Sequence, residues 1–508
     1  MGAAMGAAMG LCSRHFSRVG GLLILGSAAV SAQVMTVVPR VSVSEIFTDN
    51  VRLTSTGKQA EQVTEISPGV TMSSSAGRLQ GYFDYSLIES GYAQNSSPRR
   101  TQHALTTFGT LEAVDNWAYL DFGGSISQQA TSAFGTQSIG NTALNANKSE
   151  VSSYRLSPYL RGPLGNLANY EARYSQTLTQ SASIADSRVT AAEALLRVSA
   201  STAFRQLGWS ASVNQSRVDY SAGRTTDSDR LNLGLSYLLT PQLSVSVNGG
   251  REATNYTGFD TQSATTHGVG MNWSPSDTTR ISASKDSRPF GDTHSVRLEH
   301  RTARTAWTFT DTRDVSSTPS QSGLTSIGPI YDILYSQFAT VVPDPLARAQ
   351  LVNAYMQANG IRPDQVVLSS FLTSAMAVQR RQDLVFAVLG VRDTITFIAT
   401  RTDSHRLDTL SIAQDDLTSS SSVRQRGFTA SYSHRLTPDY SLGIFASQQN
   451  TSDGTGLQDS KLRSVNVNLS GRVGQKSSVA LGLRHTRFSS PLTPYDETAV
   501  TFNLNTQF

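Results

Sequence analysis

Cysteine is almost missing from this chain of 508 residues, which contains only Cys12. That residue lies in a segment expected to be cleaved, so the mature chain would have no disulfide and no cysteine-based metal site. A lipid anchor on Cys12 is disfavoured because the apolar run follows the cysteine instead of preceding it. Charge is also scarce: 16% of the residues are charged and the formal net charge is +4. No basic block is dense enough to indicate a nucleic-acid partner.

Long apolar runs are missing as well. The run near the N-terminus, Gly20 to Val30, follows Arg14 and Arg18 and precedes a small-residue sequence that ends at Ala32. This order is typical of a secretory signal peptide, which we predict for residues 1–32. The run is shorter than the roughly 20 residues that a membrane-spanning helix needs. A transmembrane helix is therefore not how this chain is expected to meet a membrane.

The sequence lacks the common catalytic and cofactor-binding signatures. It contains no HExxH, no Gly-x-Ser-x-Gly turn and no phosphate-binding loop. His294 and His300, with Asp286 and Asp292, form the nearest approach to a hydrolase cluster, and scattered strand histidines explain them more simply. Acids such as Asp415 lack the spacing of a calcium loop. We expect no catalytic residue, no metal site, no cofactor and no enzymatic activity.

What the chain has in abundance is alternation of apolar and polar residues. From Leu231 to Leu239, and again from Leu243 to Val247 and from Val465 to Leu469, every second residue is apolar. Side chains of successive residues in a β-strand point to opposite faces, so a period of two predicts strands with one apolar and one polar face. Such strands suit a sheet that lies between lipid and a watery lumen.

The connections between the alternating segments also alternate in length. Short connections such as Thr240 to Gln242 and Thr437 to Asp439 are separated by longer polar ones such as Asn95 to Thr101 and Thr131 to Glu150. Outer-membrane barrels have this pattern, with short periplasmic turns and longer external loops. The sequence predicts an all-β fold, a transmembrane antiparallel up-and-down outer-membrane β-barrel of about 22 strands (range about 18–22) over residues 33–508.

The final strand indicates how the barrel would be inserted. Val500, Phe502, Leu504 and Phe508 lie on one face of it, and a last strand that ends in an aromatic residue resembles the recognition signal of the barrel-assembly machinery. Counting back from a periplasmic Phe508 places every short turn in the periplasm.

The tryptophans all lie beside short turns, as expected of an aromatic girdle at the lipid headgroups: Trp117, Trp209, Trp273 and Trp307. The expected partners are the outer-membrane lipid bilayer and, during insertion, the assembly machinery.

One segment, residues 316–374, interrupts the alternation. Within it, Leu346 to Gly360 is compatible with an amphipathic helix that starts near Asp344-Pro345 and stops at Asn359-Gly360. We predict a helical insertion in one extracellular loop. It would fold into the mouth, cap it or contact a partner; a decorated loop with no gating role is an equally good interpretation.

The polar register of the strands is the remaining surface that could carry chemistry. Aromatic faces stack on sugar rings while charges and hydroxyls form hydrogen bonds with them, so Tyr82, Tyr119 and Tyr159 beside charged residues could guide a sugar chain. The simpler alternative is that these charges pair across strands and fill the barrel. The charged residues predicted to line the lumen are Asp84, Asp121, Glu171, Arg173, Arg197, Arg230, Arg297, Glu299, Arg301, Arg435, Arg472 and Arg484.

Three segments in the N-terminal part of the chain are similar in sequence to a known family. Ser42 to Val51, Thr64 to Val70 and Trp117 to Gln129 resemble the PEP-CTERM system-associated outer-membrane protein family, which accompanies exopolysaccharide loci in Gram-negative bacteria. The similarity is strongest over residues 40 to 130. It implies an outer-membrane location and a genomic setting, and it brings no catalytic residues to carry over.

Two functions follow as hypotheses. In the first, the barrel is a channel or accessory component for exopolysaccharide export and works with other export components. A barrel of about 22 strands is wide enough for a lumen unless something plugs it, and strands begin almost directly after the signal peptide, with the insertion as the candidate plug. In the second, the barrel is a non-conducting anchor that organises an envelope assembly. A hydrolase is disfavoured because the site residues are missing.

Overall fold

The computed structural model describes residues 35–74, 77–94, 96–182, 188–201, 206–221, 223–316, 348, 371, 376–407, 415–456 and 458–508. The predicted signal peptide, residues 1–32, lies outside this part of the chain. So does the predicted helical insertion of residues 316–374, apart from Ser316, Arg348 and Phe371, and the helix expected within it is not shown.

The described residues form 22 strands. The first eleven are β1 (Met35–Thr48), β2 (Glu61–Ser74), β3 (Leu79–Tyr92), β4 (Arg100–Val114), β5 (Ala118–Ala130), β6 (Lys148–Leu164), β7 (Ala168–Ser181), β8 (Arg188–Ser201), β9 (Leu207–Tyr220), β10 (Thr226–Thr240) and β11 (Leu243–Thr254). The others are β12 (Gln262–Ser276), β13 (Thr279–Arg288), β14 (Gly291–Arg301), β15 (Thr305–Ser316), β16 (Ala377–Leu389), β17 (Asp393–Arg406), β18 (Ser422–Arg435), β19 (Tyr440–Ser452), β20 (Ser460–Arg472), β21 (Ser477–Ser489) and β22 (Tyr495–Gln507). A four-residue helix, α1 (Asp416–Ser419), lies between β17 and β18.

The strands close into one barrel. Each strand pairs antiparallel with the next in the sequence, and β1 pairs antiparallel with β22, where Val43 lies opposite Leu504. Closure leaves no free edge, so every strand can satisfy its backbone hydrogen bonds within the sheet, as a hydrocarbon environment requires. The predicted antiparallel up-and-down barrel is confirmed, with 22 strands.

The two ends of the barrel differ in their connections. At the end that carries Met35 and Phe508, here called the periplasmic end, turns such as those between β10 and β11 or β18 and β19 have two to four residues. Asn116 and Gly165 adopt positive φ in two of these turns. The opposite end, here called the extracellular end, has the longer loops with one exception. Pro289 and Phe290 alone join β13 to β14, so the expectation of long connections throughout this end is wrong at that hairpin.

The two faces of the wall differ in polarity. On β10, Leu231, Leu233, Leu235 and Tyr237 are 44–56% exposed, and their cross-strand partners on β9 include the exposed Trp209. Large apolar side chains exposed on one register form the outer band that faces lipid. The alternate register is polar and faces the lumen. The molecule is therefore an outer-membrane-type β-barrel.

Candidate functional site: the lumen wall and the barrel mouth

A stack of two tyrosines and two arginines lies in the lumen wall near the periplasmic end. Tyr119 on β5 and Tyr159 on β6 lie directly opposite each other, and their rings stack with centroids 5.0 Å apart. The guanidinium carbon of Arg161 lies 4.3 Å from the centroid of Tyr119, and that of Arg173 lies 3.9 Å from the centroid of Tyr159. Both tyrosines are more than 90% buried. Cation–π contact and stacking therefore hold the four side chains as one unit.

Carboxylates complete this stack. Arg173 donates to Asp121 at 2.6 Å and to Glu171 at 2.9 Å. Because the ring faces are already covered by guanidinium groups and by each other, they offer no bare surface for a sugar ring. The stack presents charged groups to the lumen, which suits hydrogen bonding to a polar solute better than stacking.

A second paired group lies on the neighbouring strands. Arg40 on β1 donates from its two terminal nitrogens to the two carboxylate oxygens of Asp84 on β3, both at 2.6 Å. It also donates to Ser86 at 2.7 Å. Such a bidentate ion pair is strong and directional. Tyr82, two residues from Asp84, stacks with Phe108 at 5.7 Å.

All twelve predicted lumen residues lie on the lumen-facing register, and the structure brings several of them together. Arg297 donates to Glu299 at 2.6 Å, and Arg230 lies 3.8 Å from Asp286. Arg301 reaches only a backbone carbonyl, that of Asp277, at 3.5 Å. Among the described residues, three of the twelve have side chains without a hydrogen bond or ion pair: Arg197, Arg435 and Arg472. Whether these residues line a conducting path stays a prediction.

Some lumen residues were missed by the sequence reasoning. Arg40 follows the same parity as Ser42 and Ser44, so the alternation of β1 was the signal that could have found it. Glu252 is fully buried and accepts from Arg288 at 2.6 Å and 2.8 Å. Their strands, β11 and β13, are separated by β12, so this pair follows from the assembled barrel and not from either strand alone.

The loop of residues 131–147, between β5 and β6, folds over the lumen and contacts distant strands. Tyr92, at the end of β3, donates its hydroxyl to the carbonyl of Thr142 at 2.9 Å. Tyr495, at the start of β22, donates to the carbonyl of Gln137 at 2.5 Å. Leu144 donates its backbone N–H to the carbonyl of Val51 in the β1–β2 loop at 2.8 Å. We call residues 131–147 the mouth loop.

A buried ion pair lies beneath the mouth loop. Arg484 on β21 donates to both carboxylate oxygens of Glu497 on β22, at 3.0 Å and 3.2 Å. Thr48 on β1 also donates to Glu497, at 3.0 Å. A Cβ atom on Gly140 would lie 3.0 Å from the Arg484 guanidinium, so the mouth loop approaches this pair closely. Arg484, one of the twelve predicted residues, therefore lies next to the mouth loop.

On its other side the mouth loop meets α1. Asp416 accepts hydrogen bonds from the Ser132 hydroxyl at 2.7 Å and from the Ala133 backbone N–H. Leu417 packs with Ala133, Phe371 and Val423 in one buried cluster. Burial raises the pKa of the Asp416 carboxyl above its usual value, although these two hydrogen bonds oppose the shift. α1 adjoins β18, which is nine strands from β5 around the ring, so the contact spans the mouth.

A third contact joins the end of the long β15–β16 connection to the wall at β8 and β9. Tyr220, the last residue of β9, donates its hydroxyl to the sulfur of Met376 at 3.2 Å. Met376 also packs with Val189, Val218 and Tyr256. Loops from several sides of the barrel thus meet across the extracellular end and narrow it.

Within the described ranges, no group of three or more His, Cys, Asp or Glu side chains is arranged to hold a metal ion. No helix of the same residues is long and apolar enough to cross a membrane. His294 contacts Asp311 at 3.0 Å on the outer register, so the histidine cluster considered in the sequence does not assemble in the lumen.

The similarities of this chain to known proteins are all to solved structures. No family model and no curated protein matches the chain. Among solved structures it is similar to the FrpB iron transporter from Neisseria meningitidis (F5-1 variant), with 10% identity, 93% of this chain and 82% of that chain covered, and a TM-score of 0.49. The siderophore receptor PirA from Pseudomonas aeruginosa matches with 9% identity, 92% and 80% coverage and a TM-score of 0.42. OccK3 (OpdO) from Pseudomonas aeruginosa matches with 10% identity, 93% and 95% coverage and a TM-score of 0.31.

Proposed function

We propose that this chain is a gated outer-membrane channel for a polar envelope polymer, and that exopolysaccharide is the polymer. The observation that carries the proposal is the combination of a polar, charge-lined inner register with loops that meet across the extracellular end of the barrel. A 22-stranded barrel has room for a lumen, and the mouth contacts are hydrogen bonds and apolar contacts that can open and close.

The inner wall supports a saccharide better than an apolar solute. Arg161, Arg173, Asp121 and Glu171 offer donors and acceptors side by side, and serine, threonine and asparagine fill much of the same register. A chain of sugar hydroxyls exchanges hydrogen bonds with water for hydrogen bonds with such a wall at little net cost. The resemblance of the N-terminal segments to exopolysaccharide-associated barrels favours the same polymer.

The second candidate is a non-conducting barrel that anchors an envelope assembly. The contacts of Tyr92, Tyr495 and Asp416 with the mouth loop favour it, because together they tie the loop to three places on the rim. Paired lumen charges such as Arg40 with Asp84 also suit a filled interior.

Conductance in a planar bilayer separates the two candidates. The full chain is compared with a variant in which residues 317–375 are replaced by a short Gly-Ser linker, and with a variant that lacks residues 133–145 of the mouth loop. We expect a larger conductance from at least one of the shortened forms, and block of that current by added exopolysaccharide. Absence of conductance in all three correctly folded forms would overturn the channel and favour the anchor. Current that exopolysaccharide leaves unchanged would overturn the polymer.

A further inference from the structure

A cationic patch lies on the outside of the barrel, away from the lumen. It consists of outward-facing residues near the extracellular ends of β17, β18, β20 and β21, here called the outer arginine patch: Arg401, Arg424, Arg426, Lys461, Arg463 and Arg487. Its outward orientation follows from register, because Arg426 alternates with the buried Gln425 and Gly427 and shares its face with Phe428, which is 50% exposed.

Several of these cations face each other directly. Arg401 lies opposite Arg426 on the β17–β18 ladder, and Arg463 lies opposite Arg487 on the β20–β21 ladder. Like charges in directly opposite positions of an antiparallel pair destabilise the pairing. Two such pairs lie at a similar height along the barrel axis, and they indicate that an anionic group binds between the opposed arginines.

The protein itself supplies little negative charge to this surface. Asp403 binds Arg401 at 2.9 Å and also lies opposite Arg424, so one carboxylate faces two arginines. Arg463 donates to the neutral Gln448 at 3.3 Å. Asp496 lies opposite Arg487 and feels its charge, but forms its ion pair with Lys58. Within the part of the chain that the structure describes, the side chains of three members form no hydrogen bond and no ion pair: Arg424, Arg426 and Arg487.

The neighbouring strands show the contrast. On β14 to β16, Asp311 accepts from Arg380 at 2.7 Å and from His294 at 3.0 Å. Arg313 lies opposite Arg380 and donates to the backbone carbonyl of Asp292. The arginines of the patch whose side chains have no hydrogen bond and no ion pair therefore lie on β18 and β21. That concentration requires an explanation that strand packing alone does not provide.

The height of the outer arginine patch along the barrel axis shows which layer of the membrane surrounds it. Arg426 is nine residues from Arg435 at the periplasmic end of β18, which for a tilted strand corresponds to about 23 Å along the membrane normal. The apolar band of such barrels is about 25 Å tall. Phe428 and Phe397, whose rings stack at 6.4 Å, lie just on the membrane side of Arg426. The guanidinium groups thus lie at the headgroups of the extracellular leaflet.

From this geometry we infer that the outer arginine patch binds the phosphate groups of a phosphorylated lipid in the extracellular leaflet. Guanidinium groups bind phosphate through paired hydrogen bonds, and each phosphate relieves the repulsion of one opposed arginine pair. The acyl chains of the same lipid pack on Phe397, Phe428 and Val465, which are 38–50% exposed. A soluble phosphate would gain nothing from this apolar surface, so the site is a lipid site.

The test uses native mass spectrometry and thermal unfolding of the full chain in detergent. The probes are a diphosphorylated lipid A, the same lipid with its phosphates removed, and inorganic phosphate. The variant replaces Arg424, Arg426, Arg463 and Arg487 by glutamine. The charge-matched control replaces the lumenal Arg197, Arg280, Arg435 and Arg472 by glutamine. We expect the variant to lose roughly tenfold or more in affinity for the phosphorylated lipid, and the control to bind as the parent does.

A single substitution, Arg426→Gln, keeps the test decisive if the fourfold variant does not fold. Without lipid it is expected to raise the unfolding temperature, because one like-charge opposition disappears. With the phosphorylated lipid it is expected to reduce the stabilisation that the lipid provides. Equal affinity for the dephosphorylated lipid, or equal loss in the lumenal control, would overturn the inference. Binding of inorganic phosphate as tight as that of the lipid would overturn the lipid as its source.

Discussion

Tyr495, the first residue of the last strand, donates its hydroxyl to the backbone carbonyl of Gln137 in the mouth loop at 2.5 Å. The two residues are 358 positions apart in the chain, and the tyrosine is 3% exposed. This bond joins the closing seam of the barrel to the loop that covers its lumen. It makes the position of the mouth loop depend on correct closure between β22 and β1.

The first prediction concerns this bond. Tyr495→Phe removes the donor and leaves the Gln137 carbonyl buried without it, which should weaken docking of the mouth loop by about 1–2 kcal/mol. Limited proteolysis within residues 131–147 should become several times faster, while the barrel stays folded. Tyr154→Phe is the matched control, because Tyr154 is 44% exposed on the outer face. Equal proteolysis of both variants would show that the bond does not hold the loop.

The second prediction concerns pH. Burial raises the pKa of Asp416 in the docked state, so the docked loop binds a proton more tightly than the released loop. Docking is therefore weakened as pH rises from about 3.8, the usual value, through the raised pKa, and is constant above it. Opening events in single-channel records should become rarer as the extracellular side is acidified through that window.

Asp416→Asn is the control for the pH effect. The amide keeps the size of the side chain and cannot ionise, so this part of the pH dependence should disappear. A change of the same size in parent and variant would assign the effect to another group. The neighbouring Asp415 also raises the pKa of Asp416, so Asp415→Asn should shift the window toward lower pH without abolishing it.

The third prediction concerns the ion pair beneath the mouth loop. Arg484 and Glu497 have side chains that are 10% and 4% exposed. Removing one partner leaves the other charge buried alone, so Glu497→Gln is expected to lower the unfolding free energy by about 3 kcal/mol. The double variant Arg484→Met with Glu497→Gln should recover part of that loss. Heat-dependent mobility on gels measures both, and a double variant no better than the single one would contradict a paired role.

Much of the barrel wall could be predicted from the alternation of apolar and polar residues in the sequence. Because side chains alternate strictly between faces, parity placed all twelve predicted charges, from Asp84 to Arg484, on the lumen register. The alternation does not predict which charged side chains form ion pairs with each other. Asp121 finds Arg173 two strands away only because β6 lies between them with Tyr159 as a spacer. Such pairs depend on register across strands, which no single segment encodes.

The mouth could not be predicted in the same way. The residues of the mouth loop have no periodicity, and their partners on β3, β22 and α1 are brought near only by closure of the ring. The Pro289–Phe290 connection shows the same limit, because loop length at the extracellular end follows no repeating rule. The sequence therefore predicted the barrel, while the lumen lining stays a prediction and the contacts that close the extracellular end were missed.

The fourth prediction concerns the charge of the lumen wall. Arg173→Ala leaves Asp121 and Glu171 without their shared cation, which adds local negative potential to the lumen. The reversal potential in a salt gradient should shift toward cation selectivity in any conducting form of the barrel. Arg217→Ala is the charge-matched control, since Arg217 lies on the outer register beside Asp219 and Asp227. The same shift in both variants would remove Arg173 from the conduction path.

The last prediction concerns a close approach of two strands. A Cβ atom on Gly250 of β11 would lie 1.9 Å from the carbonyl oxygen of Leu231 on β10. This clash can be relieved only if backbone atoms of the two strands move apart. Gly250→Ala is therefore expected to disturb the β10–β11 ladder and reduce the yield of folded, heat-modifiable barrel several-fold. Gly474→Ala is the control, because a Cβ there meets nothing within 4 Å. Equal yields of folded barrel from Gly250→Ala and Gly474→Ala would contradict the prediction, because they would show that β10 and β11 can move apart at no cost.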